Sequence, residues 1–439
     1  MTYFKVVLRS PVVTPEREAP HFTGIAPRNS LCDFLVGLTP QLWPNATAAA
    51  LTGLTRARFS RGKEYVTVAD LTLTPSANAK VVVTFAGEER LAEALAAVQK
   101  QDSATLVHVP GLGCIAEVFP SDWRLPYLGR ALDPAVVLPP LELAFGLATG
   151  TTSLDVRLLR YRPHSRVVAQ YSLRVPDGII VAEAVGKVFR SEGRAKRMHR
   201  LMESVYESTL VIPRPLALVK DASLVLMAKL PGRSLQSILN EPVTAAASVA
   251  IRAAARSLRA FHGAPVDGVK PRKASRDIET IVTLARRAAP AHEASRDLSL
   301  LANALERHAQ ALQTGVEPGL THGSFKPTAV IVDGDSAGIV DLDSFALDDP
   351  ARDVAEFSAK LVAIGLTPGK EGVSPLASLF TDAYLAEEPP SSALRERVRI
   401  YEGLLLAGVA LKRFDVPPSR DEEAATAANL LNAALSRLA

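Results

Sequence analysis

The sequence predicts an α+β chain of two lobes preceded by a smaller module, and three observations carry that expectation. Between Leu154 and Leu230, short apolar runs alternate with turns at strand spacing. From about Ser234 the chain is rich in Ala, Leu and Arg and reads as helical. One stretch interrupts the helices: Leu320–Phe357, LTHGSFKPTAVIVDGDSAGIVDLDSFALDDPARDVAEF. In it the apolar runs Val330–Val332 and Gly338–Leu342 flank Asp333-Gly334, a strong hairpin signal. At 439 residues the chain exceeds one ordinary domain. Boundaries are expected at 1–145, 146–235 and 236–439.

Residues 1–145 are expected to form a small α/β module. Tyr65–Leu73 and Lys80–Phe85 read as strands and Glu88–Lys100 as a helix. Leu132–Pro140 carries three prolines and reads as a connection between modules. Leu154–Tyr161 and Arg166–Val175 follow as strands around Pro163-His164-Ser165, and Ile179–Phe189 as a third. A polar helix is expected at Ser191–Ser208, then strands at Leu210–Val219 and Ser223–Leu230 and a turn at Pro231-Gly232. Thr244–His262, Asp277–Ala288 and Asp297–Leu312 have the periodicity of helices. A β-rich lobe followed by a helical lobe suits a bilobal enzyme. No internal repeat stands out in the sequence.

Composition narrows the classes. Apolar residues make up 48% and charged residues 22%, so a full core is expected. A net charge of +4 on a chain this long argues for neither nucleic acid nor a membrane. Two cysteines, Cys32 and Cys114, make a disulfide framework improbable and point to the cytoplasm. The N-terminus MTYFKVVLRSPVV lacks a secretory core, and Pro139, Pro140 and Glu142 break the longest apolar run.

Several residues suit phosphoryl transfer, which needs positioning and charge compensation more than covalent chemistry. Lys187, near the end of a strand in VGKVF, could reach nucleotide phosphates, with Glu203 in the next helix holding it. Taken singly, a strand Lys is ordinarily solvent-facing, and Glu192 and Glu207 compete with Glu203. Asp341 and Asp343 stand two apart in GIVDLDSF, so on one strand they would share a face and converge on a metal. The bland reading of Asp343 is a cap for the following turn. His322 is either a structural bridge to the Asp341 backbone or a catalytic base. The basic run Lys187, Arg190, Arg194, Lys196, Arg197, His199 and Arg200 suits an anionic partner or a solvated helix face.

Together these residues resemble the aminoglycoside phosphotransferase and choline kinase superfamily, whose fold is that of a protein kinase. The resemblance spans roughly Leu154 to the C-terminus and is strongest from His322 to Asp353, HGS…DLDSF…DPARD. It implies a bilobal protein-kinase-like fold with ATP and Mg²⁺ as cofactors. By position His322 matches the motif histidine, Asp341 the metal aspartate and Lys187 the phosphate lysine. Asp349, Pro350, Ala351 and Asp353 match an element that stabilises the helical lobe in the family.

Three departures push against ordinary hydroxyl phosphorylation. Ser324 stands at the catalytic Asp position, and a serine hydroxyl is a poor base near neutral pH. Ala329 stands at the metal-binding Asn position and offers no ligand. No glycine occurs between Leu154 and Asp177, and His164 sits where the phosphate loop would need close backbone approach. Two readings follow. The first is a divergent ATP- and Mg²⁺-dependent phosphotransferase acting on a small hydroxylated molecule, with Asp343 or His322 replacing the lost base. The second is a pseudokinase that binds a protein partner through residues 1–145.

Overall fold

Apolar side chains at alternate positions bury both faces of the first sheet. In the computed structural model, residues 35–439 are described apart from 38, 44, 61–63, 76, 99–104, 110–112, 207–210, 266–268, 270, 273–274, 289–294, 310–311, 313–316, 387–391 and 415–420. Five antiparallel strands, β1 (Ala48–Ser60), β2 (Glu64–Thr74), β3 (Ala77–Ala86), β4 (Leu106–Val109) and β5 (Cys114–Val118), lie in the order β1-β2-β3-β5-β4. Ala69, Leu71, Leu73, Val81 and Val83 fill one face with Leu35, Val107 and Ala116. Val66, Val68 and Val82 fill the other. Helix α1 (Glu88–Val98) buries Leu91 and Ala94 against Ile115 and Trp123. Cys114 is a core thiol whose pKa burial pushes up to about 12, so it is inert; Cys32 lies outside the described residues.

The expected connection at Leu132–Pro140 is instead the first half of helix α2 (Pro134–Phe145). The prolines misled because two tolerant features coincide there. Pro134 sits in the first turn, where no amide donor is needed, and Asp133 caps the end by accepting from Ala135 N at 2.9 Å. Val137 and Leu141 are then buried, which offsets the interior prolines Pro139 and Pro140.

A second antiparallel sheet follows as expected: β6 (Ser153–Arg162), β7 (Arg166–Arg174), β8 (Ile180–Val188), β9 (Pro215–Val219) and β10 (Leu224–Ala228), in the order β6-β7-β8-β10-β9. Helix α3 (Glu192–Tyr206) connects β8 to β9 as α1 connects β3 to β4. The two sheets therefore share one topology, and their registers agree as well. In each, a bulge precedes the last three pairs of the first hairpin: Arg58/Val66, Phe59/Tyr65 and Ser60/Glu64 against Arg160/Val168, Tyr161/Val167 and Arg162/Arg166. Lys187 pairs with Val168 and Val225, and Thr84 pairs with Val66 and Ile115, so Thr84 holds the place of Lys187. This repeat was invisible in the sequence because a sheet needs only an apolar alternation, which few shared identities can supply.

Met1–His199 with Pro215–Ala228 form one compact unit, and Arg200–Arg214 with Lys229–Ala439 form another. The second is helical, with α4 (Ala245–His262), α5 (Ser275–Ala288), α6 (Ser295–Ala309), α7 (Ala351–Gly365), α8 (Pro375–Leu385), α9 (Ser392–Phe414) and α10 (Asp421–Leu438). Small pieces of sheet interrupt it: β11 (Arg233–Ser234) pairs with β13 (Val330–Asp333), β13 with β14 (Ser336–Ile339), and β12 (Gly319–Thr321) with β15 (Ala346–Asp348). The chain is thus α+β, with a β-rich part and a helical part, as expected. At Gly232, φ is 99° and any Cβ would collide with the Val332 carbonyl, so the Pro231-Gly232 turn requires glycine. Among the described residues no helix is long and apolar enough to cross a membrane.

Phe325, Phe357 and Phe380 stack at the centre of the helical unit, with centroids 5.1 Å and 4.0 Å apart along the series. Because all three rings are fully buried, Phe357→Ala should cost about 3–5 kcal/mol. Chemical denaturation of the variant checks this.

Candidate active site

The His322–Ala329 loop is held by one carboxylate. Asp353, in the first turn of α7, accepts from His322 N through Oδ2 and from Gly323 N through Oδ1, the latter at 2.9 Å. His262 Nε2 lies 3.2 Å from the same Oδ2, and its Nδ1 lies 2.7 Å from Tyr384 Oη. Burial works to raise the Asp353 pKa, but the hydrogen bonds and charges from His262 and His322 outweigh it and hold the group ionised below its ordinary range. The His322 imidazole is wholly buried and donates from Nε2 to Val340 O at 2.9 Å. It bridges the loop to the residue before Asp341, which is the structural alternative drawn from the sequence.

Gly323 has φ 73°, and a Cβ there would collide with Ser344 O. The loop therefore runs against the Asp343–Ser344 turn at backbone contact distance. Arg272 ties the loop to β15, donating from Nη1 to Gly323 O at 3.2 Å and from its backbone N to Leu347 O at 2.9 Å. Sequence reasoning missed Arg272, which stands outside every motif.

Past Gly323 the chain alternates. Phe325 points into the aromatic stack, so Ser324 and Lys326 face the opposite way. Lys326 Nζ donates to Ser324 Oγ at 3.1 Å. The loop thus presents a hydroxyl beside an ammonium. Lys326 was also missed, although the polar-apolar-polar pattern Ser324-Phe325-Lys326 would have found it. Ala329 is buried, its N donating to Lys326 O at 2.7 Å and its O accepting from Val340 N at 2.9 Å. Its backbone ties the hairpin while its methyl offers no ligand.

Strand β14 ends at Ile339, so Asp341 and Asp343 are not successive residues on one strand face. Asp341 adopts the left-handed region at φ 66°, and Asp343 is exposed in the single 3₁₀ turn Leu342–Ser344. The shared-face argument does not apply here, because the chain leaves the extended conformation one residue before Asp341. Among the described residues, no three His, Cys, Asp or Glu side chains cluster as a metal site. Nearby, Asp349 caps α7 by accepting from Ala351 N at 3.0 Å and pairs with Arg397 Nε at 2.9 Å. Asp348 lies 3.5 Å from Arg352 Nη1.

In the β-rich unit, Lys187 sits next to the end of β8 and is 6% exposed, its Nζ 6.0 Å from the centre of the Phe189 ring. Glu203 is exposed on α3. His164, in the β6–β7 turn, has φ 60° and is fully buried. Its backbone N donates to Asp122 Oδ2 at 2.8 Å, and its Nε2 and Glu117 Oε2 share a hydrogen bond of 2.7 Å. Tyr161 Oη donates to Asp122 Oδ2 at 3.2 Å. Burial pushes Glu117 up to about 8 and Asp122 up to about 6, with Glu117 adding to the latter and His164 opposing it. The reason for a glycine-free turn is therefore a side-chain anchor.

Residues 169–371, which hold Lys187, Glu203 and the whole His322–Asp353 block, match the model of the phosphotransferase enzyme family. The match spans just under half of the chain. The chain is also similar to solved kinase structures. An amicoumacin kinase in complex with AMP-PNP, Ca²⁺ and Ami is 14% identical, covering 70% of this chain and 95% of that one with a TM-score of 0.46. A choline/ethanolamine kinase family protein from Mesorhizobium loti is 14% identical over 61% and 88%, with a TM-score of 0.42. A fructosamine-3-kinase-like protein from Thermobifida fusca is 17% identical over 69% and 99%, with a TM-score of 0.43. Among curated proteins, none matches the chain. The matching segment begins after the β6–β7 turn, so the His164 anchor precedes it.

Asp353→Asn should cost about 1–3 kcal/mol, because an amide cannot accept at both oxygens and leaves one loop N–H unsatisfied. A depressed carboxylate contributes stability above its unfolded pKa and loses it as pH falls through the folded one. Acid denaturation below about pH 4 should therefore lose a component in the variant that the parent shows. Glu117 has the opposite sign. The folded state binds its proton more tightly, so stability should fall as pH rises from about 4.5 toward 8, and Glu117→Gln should flatten that slope. Thermal melts across pH measure both.

Proposed function

We propose that this chain binds a nucleoside triphosphate such as ATP and carries out weak or altered transfer to a small hydroxylated molecule. The observation that supports this reading is the Ser324–Lys326 pair, set in a loop that Asp353 and His322 hold in place. The scaffold that presents the loop is retained, while the group it presents has changed from a carboxylate to a hydroxyl beside a cation. An ammonium there favours phosphate oxygens and disfavours removal of a proton from an acceptor. In this reading Lys187 meets the phosphates, Glu203 supports it, and Ser324 orients the acceptor with Lys326. His322 holds the loop. Asp343, exposed beside the loop, is the group available to replace the base.

Asp341, with Asp343, would hold Mg²⁺, which supplies neutralisation of phosphate charge when bound. Mg²⁺ fits such a sparse donor set, since it keeps several waters and takes one or two carboxylates plus substrate phosphates. A second reading, a pseudokinase that serves as a binding or scaffolding protein, is favoured by the β6–β7 turn. Its His164 N–H is already bonded to Asp122 and cannot serve phosphate.

The test is titration of ATP, with and without Mg²⁺, while following thermal stability and phosphate release. The expected outcome is an upward Tm shift that Mg²⁺ enhances, with slow release that Asp341→Asn removes. Ser324→Asp should raise transfer toward the about 10²–10⁴-fold that base catalysis supplies. No shift at millimolar ATP would sink the nucleotide reading. A shift without release in either form would leave the pseudokinase.

A further inference from the structure

We infer that the N-terminal module and the β6–β7 turn form a proton-controlled latch: the turn is held while Glu117 and Asp122 carry protons and is loosened as they ionise. The latch needs no ligand. Its moving part is the turn, where His164 adopts φ 60°, a left-handed conformation that strains a residue with a Cβ. Such strain persists only where the surroundings over-determine it. A turn held against strain relaxes when its hold weakens.

The hold comes from two carboxyls, Glu117 in β5 and Asp122 in the loop after it, both buried with His164. Each uses one oxygen on its own segment and the other on the turn. Asp122 Oδ1 accepts from Arg124 N at 3.0 Å and Leu125 N at 3.1 Å, while Oδ2 accepts from His164 N and Tyr161 Oη. Glu117 Oε1 accepts from Trp123 N at 2.7 Å, while Oε2 meets the imidazole. Phe119 packs on Tyr161 at 5.2 Å and Trp123 on His164 at 5.6 Å between centroids. Other charged groups stand around this contact. The Arg190 guanidinium donates to His164 O, and Arg124 lies over the Trp123 ring at 4.3 Å. Arg162 and Arg166 pair across the strand ends that the turn joins. Glu64, at the start of β2, lies 3.8 Å from Arg90.

Two buried carboxyls that grip one turn cannot both ionise without loss, because each charge lacks water and faces the other. Burial raises Glu117 to about 8; it also raises Asp122 to about 6, where His164 opposes it and Glu117 adds to it. Burial, then Asp122 and Glu117, push the Tyr161 pKa well above its ordinary value, so its hydroxyl remains a donor throughout. A group whose folded pKa is raised stabilises the fold below its ordinary value and loses that contribution as pH rises through the folded one. The loss is complete near pH 6 for Asp122 and near pH 8 for Glu117. The turn is therefore fastened at mildly acidic pH and loosened as pH rises from about 6 to about 8. A strained element biased by a change of charge is a two-state switch, and here it couples the first sheet to the second.

The test is hydrogen exchange of the full chain, followed by mass spectrometry and expressed as protection factors, which remove the intrinsic pH dependence of exchange. Protection of residues 161–166 should fall by up to about tenfold per pH unit between pH 6 and 8, while that of Val66–Leu71 in β2 changes far less. Glu117→Gln, which can bond the imidazole but carries no charge, should keep the turn protected through pH 8. If that variant does not fold, His164→Asn carries the test, since Asn tolerates the left-handed backbone but lacks the ring. Its turn should lose most of the pH response. Turn protection that stays constant from pH 6 to 8 in the unaltered chain would overturn the inference. A fall shared equally by β2 would do the same, because it marks general unfolding rather than release of the turn. So would a response that survives intact in Glu117→Gln or, where that variant is unfolded, in His164→Asn.

Discussion

A carboxylate with no exposure to water stays ionised only if donors replace its hydration, and Asp353 is supplied with them. Two successive backbone amides, from His322 and Gly323, and the His262 imidazole converge on its two oxygens. That arrangement decides where the loop runs. With its first two amides pinned, His322 turns inward to Val340 and Gly323 is pressed against Ser344. Phe325 drops into the stack with Phe357 and Phe380, and Ser324 and Lys326 are left on the opposite side. The Ser324–Lys326 pair is thus displayed by a loop whose buried carboxylate is supplied with donors. A loop that had simply decayed would not keep a buried ion supplied with donors.

The β-rich unit shows the same economy with the opposite sign. Glu117 and Asp122 are buried carboxyls whose pKa values rise, so their ionised forms are poorly compensated, and the turn they hold has no glycine to spare. The protein accepts that penalty because the bonds to His164 place a strained turn that the two strands alone would leave loose. The side chains of the N-terminal module are thereby joined to the turn that precedes the family-matching segment. Its sheet copies the topology and register of the second one, down to the residue that stands in the place of Lys187.

Much of this was legible in the chain. Strand alternation located β2, β3 and β6 through β8, the Asp-Gly signal located the β13–β14 hairpin, and the HGS…DPARD spacing located the loop. Legibility failed wherever a local signal had a tertiary remedy. The three prolines at 134, 139 and 140 read as a connection but sit in a helix, because capping by Asp133 and burial of Val137 and Leu141 outweigh their cost. Asp341 read as a strand residue, but the strand stops at Ile339 and the aspartate takes a left-handed turn. Arg272 carries no motif, and only the fold brings it to Gly323 O.

The sequence by itself determined the α+β class, the order of elements and the spacing of the His322–Asp353 block. These are properties of period, spacing and residue type, which are local. Tertiary structure alone decided that Lys326 sits on Ser324, that His322 is a bridge and that His164 is an anchor rather than a mere loss of glycine. Each of those depends on a partner at a distance along the chain or on which way a side chain points. No periodicity in the sequence encodes such a pairing; the packing that buries Phe325 and closes the loop after β5 over His164 does.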